Sequence, residues 1–164
     1  MATRFHVRVW TRFLASPEEV WRHVVDPAQA SAGWEPVLQR GGYPAFGEGA
    51  DVRLACVGLP VRGVGWAVET TEVVEGVRWV TAVTTPLFSD FTHAREVEAT
   101  PDGARYLDTY TFTPAGPASK AVAIGVQRLG VRRHQALARA LAADPQATGV
   151  SVLRVRVEDA WTSD

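Results

Sequence analysis

The sequence predicts an α+β domain in which one curved antiparallel sheet of about seven strands wraps around a long C-terminal helix. Three observations carry that expectation. Residues 35–113 read as strands broken by tight turns, with no connection long enough for a crossover helix, which excludes a parallel sheet. The Ala-rich run over residues 118–143 is long enough for about six or seven helical turns. One helix covers so broad a sheet only if the sheet curls about it.

The elements follow in order. Residues 4–14 alternate, with Phe5, Val7, Val9 and Phe13 on one face and His6, Arg8, Trp10 and Arg12 on the other, the period-two pattern of a half-buried strand. Ser16-Pro17-Glu18-Glu19 starts a short helix, with Ser16 as cap, Pro17 in the first turn and Glu19 completing a capping box. Val20, Trp21 and Val24 form its buried face, and Asp26-Pro27 ends it. One more helical turn fits residues 28–34. Strands are then expected at 36–40, 50–57, 61–74, 77–85, 91–100 and 104–113, separated by Gly58-Leu59-Pro60, Glu75-Gly76, Pro86-Leu87-Phe88-Ser89 and Pro101-Asp102-Gly103. Pro117 suits the first position of the long helix and Asp144-Pro145 its stop. Val122, Val126, Leu129, Leu137, Ala140 and Leu141 share one apolar stripe. Gly125 and Gly130 interrupt the helix, and Arg133 projects near the middle of the stripe with His134 at its edge. Either the helix kinks near Gly130 and Arg133 snorkels to water, or Arg133 overhangs a cavity between helix and sheet. Residues 149–157 alternate well enough for an extra strand, able to cover a sheet edge or to pair with a second subunit as a homodimer.

Composition narrows the function. The 164 residues suit one domain, and the hydrophobic share of 46% and charged share of 21% are ordinary for a globular chain. A formal net charge of −1 and the absence of any basic run argue against a nucleic-acid partner. Cys56 is the only cysteine, so the chain has neither a disulfide framework nor a cysteine metal site. His6, His23, His93 and His134 fall on different elements with at least two expected at the surface, and no metal or other cofactor is expected. No apolar stretch reaches the roughly 18 residues of an integral membrane segment, so a cytoplasmic setting is the default.

With these residues in place the chain resembles the START-related, SRPBCC or helix-grip superfamily, which includes polyketide cyclases, birch-pollen-allergen-like proteins and lipid carriers. Phe13-Leu14-Ala15-Ser16-Pro17-Glu18-Glu19-Val20-Trp21 is similar to that superfamily's usual first strand and helix. Phe91-Thr92-His93, Gly103, Asp108-Thr109-Tyr110, Pro114 and the Arg133-His134 helix resemble a subgroup of bacterial members. The resemblance covers residues 4–143 and implies a helix-grip ligand-binding domain over residues 1–145. Residues 146–164 then form a C-terminal extension, an edge strand and tail that such chains usually lack.

Strand parity sorts the candidate site residues. Phe91, His93, Arg95 and Val97 share one face of their strand; Tyr106, Asp108, Tyr110 and Phe112 share one face of the next. A two-residue turn at Asp102-Gly103 would set Val97 against Asp108 and Arg95 against Tyr110, leaving Arg95 and Asp108 as diagonal neighbours within reach of an ion pair. So many inward polar groups are expensive unless paired or wet. They form either a buried structural pair with Tyr110 as partner, or the polar end of an otherwise apolar pocket. His93 is either a satisfied core residue or, with Arg95, a ligand contact; a His–Asp dyad would suit acid–base work but lacks a nucleophile. Trp66 and Trp79 either pack the sheet or line a cavity, with Tyr43, Phe46 and Phe88 at its mouth. Gly41-Gly42 and Gly47-x-Gly49 read as a flap. The expected function is binding of a small hydrophobic, aromatic or lipid-like ligand by Trp66, Trp79, His93, Arg95, Asp108, Tyr110, Phe112 and Arg133. A polyketide cyclase or aromatase-like enzyme using the same cavity is the first alternative, and an adaptor binding a protein through its sheet edge or tail the second.

Overall fold

The structure, a computed structural model, describes residues 2–26, 38–40, 50–54, 64–116, 119–142 and 147–157. Expectations that fall elsewhere lie outside the described residues: the helical turn at 28–34, the glycine flap with Tyr43 and Phe46, and Pro117 as first residue of the long helix. The described elements are β1 (Ala2–Phe13), α1 (Pro17–Val25), β2 (Leu38–Arg40), β3 (Ala50–Leu54), β4 (Val64–Val74), β5 (Arg78–Thr84), β6 (Phe88–Thr100), β7 (Gly103–Pro114), α2 (Ser119–Ala140) and β8 (Ala147–Val157). All pairings are antiparallel, and the eight described strands form one curved sheet in the order β2-β3-β4-β5-β6-β7-β1-β8. The sheet thus includes the expected extra strand, which begins two positions earlier than the alternation suggests and pairs with β1 along its length.

Local chemistry explains the punctuation. Ser16 caps α1, its hydroxyl accepting from the Glu19 backbone N–H at 3.2 Å, and Asp26 in extended conformation stops it. Pro86-Leu87-Phe88-Ser89 is a shorter break than expected: Phe88 and Ser89 already belong to β6, because Phe88 packs its ring on Phe91 and Phe112. The β6–β7 hairpin turns at Pro101-Asp102, with Thr100 opposite Gly103. Gly103 has φ +147°, and a Cβ there would lie 2.2 Å from the Phe13 carbonyl oxygen. Only glycine lets this hairpin lie against the end of β1.

The α2 helix packs chiefly on β1 and β7. It runs unbroken through Gly125 and Gly130 to Ala140, and the turn that follows holds Ala142 in left-handed conformation (φ 47°). Gly130 marks a close approach: a Cβ there would sit 2.9 Å from Val9 Cγ2 and 3.1 Å from Tyr110 Cε2. The buried line of α2 is Ala123, Val126, Gly130, Arg133, His134 and Leu137, with Val122, Leu129 and Leu141 on its margins. Two apolar clusters result. One gathers Phe5, Val7, Val9, Phe88, Phe91, Tyr110 and Phe112 under the first half of α2. The other gathers Phe13, Trp21, Trp79, Val97, Tyr106 and Leu137 under its second half and α1. No helix among the described residues is long and apolar enough to cross a membrane.

Gly103→Ala should lower unfolding stability by at least about 2 kcal/mol, since backbone strain and a backbone clash combine. Urea denaturation at neutral pH measures it, and an unchanged midpoint would contradict the close contact with Phe13.

Candidate functional site

The inward side chains of three strands change character at the same level. β7 presents Ala104, Tyr106, Asp108, Tyr110 and Phe112; β6 presents Val97, Arg95, His93 and Phe91; β1 presents Phe13, Thr11 and Val9. In each row the middle is polar. With Arg133 and His134 from α2 these residues form a belt across the concave face, between the two apolar clusters rather than at one end of an apolar space.

Asp108 is the centre of the belt and has no solvent exposure. Its Oδ1 accepts from Tyr106 OH at 2.6 Å and from His93 Nε2 at 2.7 Å. Its Oδ2 accepts from Tyr110 OH at 3.2 Å and faces Arg133 Nε and His134 Nε2, each at 3.3 Å. Arg133 Nε donates to Tyr106 OH at 3.2 Å and so sits in ion-pair reach of the carboxylate and on one of its phenol donors at once. Aromatic stacking fixes the imidazoles: His93 lies 4.2 Å from the Tyr110 ring and His134 4.8 Å from the Tyr106 ring. Arg95 lies directly across from Asp108 in the ladder. Its guanidinium covers the Trp79 ring at 4.2 Å and donates to Thr81 Oγ1 at 3.4 Å, while Trp79 Nε1 donates to Thr70 Oγ1 at 3.1 Å.

Burial alone would raise the carboxyl's pKa, yet the electrostatic pull of His93 and then of Arg133, with the hydrogen bonds from His134 and His93, outweighs it and holds Asp108 well below the usual carboxylate range. Burial and the neighbouring Arg95 guanidinium push His93 the other way, from its ordinary 6.5 to about 3, against the pull of Asp108. His93 is therefore neutral at pH 7 and steadies Asp108 as an N–H donor, with its hydrogen on Nε2 and the lone pair on Nδ1. Burial drives the Tyr106 phenol upward, so it too remains a donor.

The structure brings His93, Arg95, Asp108, Tyr110 and Arg133 together and sets Trp79 and Phe112 beside them. Trp66 lies in β4 opposite Val52, and its side chain is outside the described residues. Several expectations need correction. The β6–β7 register is displaced by two residues, because the turn is Pro101-Asp102: Arg95 opposes Asp108 and His93 opposes Tyr110. A displacement of two preserves which face each side chain occupies. Arg133 does not reach water; it is 3% exposed, and its ion pair with Asp108 replaces hydration. The four histidines do fall on different elements, yet His93 and His134 meet at one carboxylate. Phe88 is a core residue and not part of a mouth. Tyr106 and His134 are the belt members that a sequence-based site list omits. Tyr106 shares a face with Asp108 two positions away, and His134 adjoins Arg133; those were the available signals. Among the described residues no group of His, Cys, Asp and Glu is arranged to hold a metal ion.

No family model matches the chain, and no curated protein matches it in sequence. Solved structures do. Ara h 8.0201 is 13% identical, with a TM-score of 0.62 over 84% of this chain and 98% of that one. Protein CV1439 from Chromobacterium violaceum is 18% identical, with a TM-score of 0.60 over 85% and 98%. DynU16, a protein of the dynemicin biosynthetic locus, is 20% identical, with a TM-score of 0.55 over 84% of this chain and 47% of that one. The fold is helix-grip. At these identities the likeness speaks for the helix-grip architecture, the fold of the SRPBCC and START-related superfamily, and leaves the chemistry to this chain's own residues.

Asp108→Ala strands buried donors and a guanidinium and should cost about 3–5 kcal/mol in urea unfolding; a loss below about 1 kcal/mol would mean the belt is wet. A pH dependence follows as well. In the unfolded chain His93 takes up a proton near 6.5, whereas in the fold it does so near 3, and Asp108 is likewise protonated more readily when unfolded. The unfolded state binds more protons on both counts, so stability rises with pH and is lost on acidification from about pH 6.5 downward. His93→Gln, which can keep an N–H toward Asp108, should flatten the part of this slope between about pH 6.5 and 4. Unchanged slopes in urea midpoints would contradict the neutral imidazole.

Proposed function

We propose that this protein binds a small hydrophobic molecule, aromatic or lipid-like, between the sheet and the long helix, and reads its polar atoms with the Asp108 belt. The observation that supports this most directly is the belt's position. A set of buried donors and acceptors lies on the same concave face as a cluster of four stacked or edge-packed aromatic rings, Phe5, Phe88, Phe91 and Phe112. An interior built only for stability gains little from burying two arginines and a carboxylate, because apolar residues of similar volume serve as well or better. In this reading Trp66, Trp79, Tyr110 and Phe112 supply apolar contact. His93, Arg95, Asp108 and Arg133 orient a hydroxyl, carbonyl or carboxylate oxygen, a task suited to guanidiniums with five N–H donors each. The likeness to Ara h 8.0201 and DynU16 fits a ligand-holding helix-grip fold. The ligand-binding unit is assigned to residues 1–145, with 146–164 as its extension, and a single cysteine fits a reducing, cytoplasmic setting.

One observation favours a second reading, a polyketide cyclase-like enzyme: His93 and Asp108 form a dyad at 2.7 Å. Burial and the neighbouring Arg95 guanidinium, acting on His93 against Asp108, weigh against that reading. A general base works best with a pKa near the operating pH, and an imidazole held near 3 abstracts protons poorly. Such a nitrogen serves better as a hydrogen-bond acceptor, which is what a carrier needs.

Anilinonaphthalene sulfonate, an apolar dye that fluoresces when removed from water, should bind near 1:1 and be displaced by a medium-chain fatty acid. Native mass spectrometry of the purified protein should show a co-purified small molecule. Absence of dye binding, of displacement and of any co-purified mass would overturn the binding reading.

A further inference from the structure

The Asp108 belt continues past His134 to the edge of the sheet. His134 Nδ1 lies 2.8 Å from Thr11 Oγ1, and Thr11 Oγ1 lies 3.1 Å from Thr148 Oγ1 on β8. Thr11 and Thr148 face each other in the β1–β8 ladder. His134 and Thr11 are buried, whereas Thr148 is exposed. A chain of hydroxyl, hydroxyl, imidazole and carboxylate therefore joins the surface of β8 to the middle of the interior.

We infer that Thr11 and Thr148 are positioning residues of the site, fixing His134 as the tautomer with its hydrogen on Nε2, so that the C-terminal strand is built into the binding belt. This rests on reading that belt as the polar part of the ligand site. The directions of the hydrogens follow from the carboxylate outward. His134 Nε2 lies 3.3 Å from Asp108 Oδ2, and a lone pair there would face the lone pairs of an anion; Nε2 must carry hydrogen. In a neutral imidazole Nδ1 is then an acceptor, and the Thr11 hydroxyl faces it as donor. Thr11 has one hydrogen and has used it, so in its contact with Thr148 it accepts and Thr148 donates. The exposed Thr148 oxygen is left to accept from water. The opposite tautomer would set a lone pair against Oδ2, beside Arg133, which needs that oxygen at 3.3 Å. Tyr106, stacked on the His134 ring, holds the imidazole plane while the two threonines choose its hydrogen.

The full chain with ¹⁵N-labelled histidine provides the test. In the wild type, the His134 ring should show a protonated Nε2 and an unprotonated Nδ1 at neutral pH. Thr11→Val keeps the branched shape and removes the donor; it should shift His134 toward a mixture of tautomers and weaken dye binding about fivefold, the worth of one neutral hydrogen bond. Thr148→Val, at an exposed position where folding is not at risk, should move both readouts in the same direction, and Thr148→Ser should restore them. Ring signals unchanged in both valine variants, or a wild-type ring protonated on Nδ1, would overturn the inference. A tautomer shift with unchanged dye affinity would also overturn the positioning role. If the wild type binds no dye, the proposed function fails and the ring nitrogens alone decide the assignment.

Discussion

A carboxylate removed from water must be replaced shell for shell, and Asp108 shows what that demands of a fold. Five side chains from three elements converge on its two oxygens: His93 from β6, Tyr106 and Tyr110 from β7, Arg133 and His134 from α2. A helix on an apolar sheet could slide or roll at small cost, since hydrophobic contact has no direction. Here α2 cannot roll without taking two donors off a buried anion. Gly130 belongs to the same constraint, for any side chain at that point would push the helix off Val9 and Tyr110 and lengthen both contacts. The polar centre thus sets the height and rotation of the helix, while the apolar clusters on either side supply the driving force.

The arrangement also settles which groups carry charge. Asp108 remains an anion because its donors outweigh desolvation, and His93 remains neutral because desolvation and Arg95 outweigh its attraction to Asp108. Arg133 and Asp108 form the charged pair, with the His93 imidazole and the phenols as neutral donors beside it. Arg95 makes a different kind of contact, a guanidinium spread over the indole of Trp79. Arginine tolerates this because its charge is delocalised and weakly hydrated.

What could be read from the sequence was what depends on periodicity. Alternation assigned His93, Arg95, Asp108 and Tyr110 to inward faces, and those faces survive a register displaced by two, because side-chain orientation in a strand repeats every two residues. The pairing itself could not be read, since Pro101-Asp102 and Asp102-Gly103 are both plausible turn cores and only the close approach of Gly103 to Phe13 separates them. The partner of Arg133 is hidden for a related reason. Helical periodicity shows that a cation sits on the buried stripe, yet the acid that neutralises it lies on a strand 25 positions earlier in a chain of 164, where no local pattern points to it. Tyr106 and His134 were overlooked because a tyrosine and a histidine are ordinary core residues until a carboxylate is known to lie between them.

The place of β1 has a consequence for how the chain comes to be folded. β1 lies between β7 and β8, so both its neighbours are about a hundred residues or more downstream. The hairpins from β4 to β7 close through short turns and can form early, whereas β1 gains its first edge partner only when β7 follows and its second only when β8 does. Such long-range pairing makes for slow folding and for a nascent chain whose Phe5, Val7, Val9 and Phe13 stay open to misassociation. Until β7 and β8 follow, neither edge of that strand has the partner the finished sheet gives it.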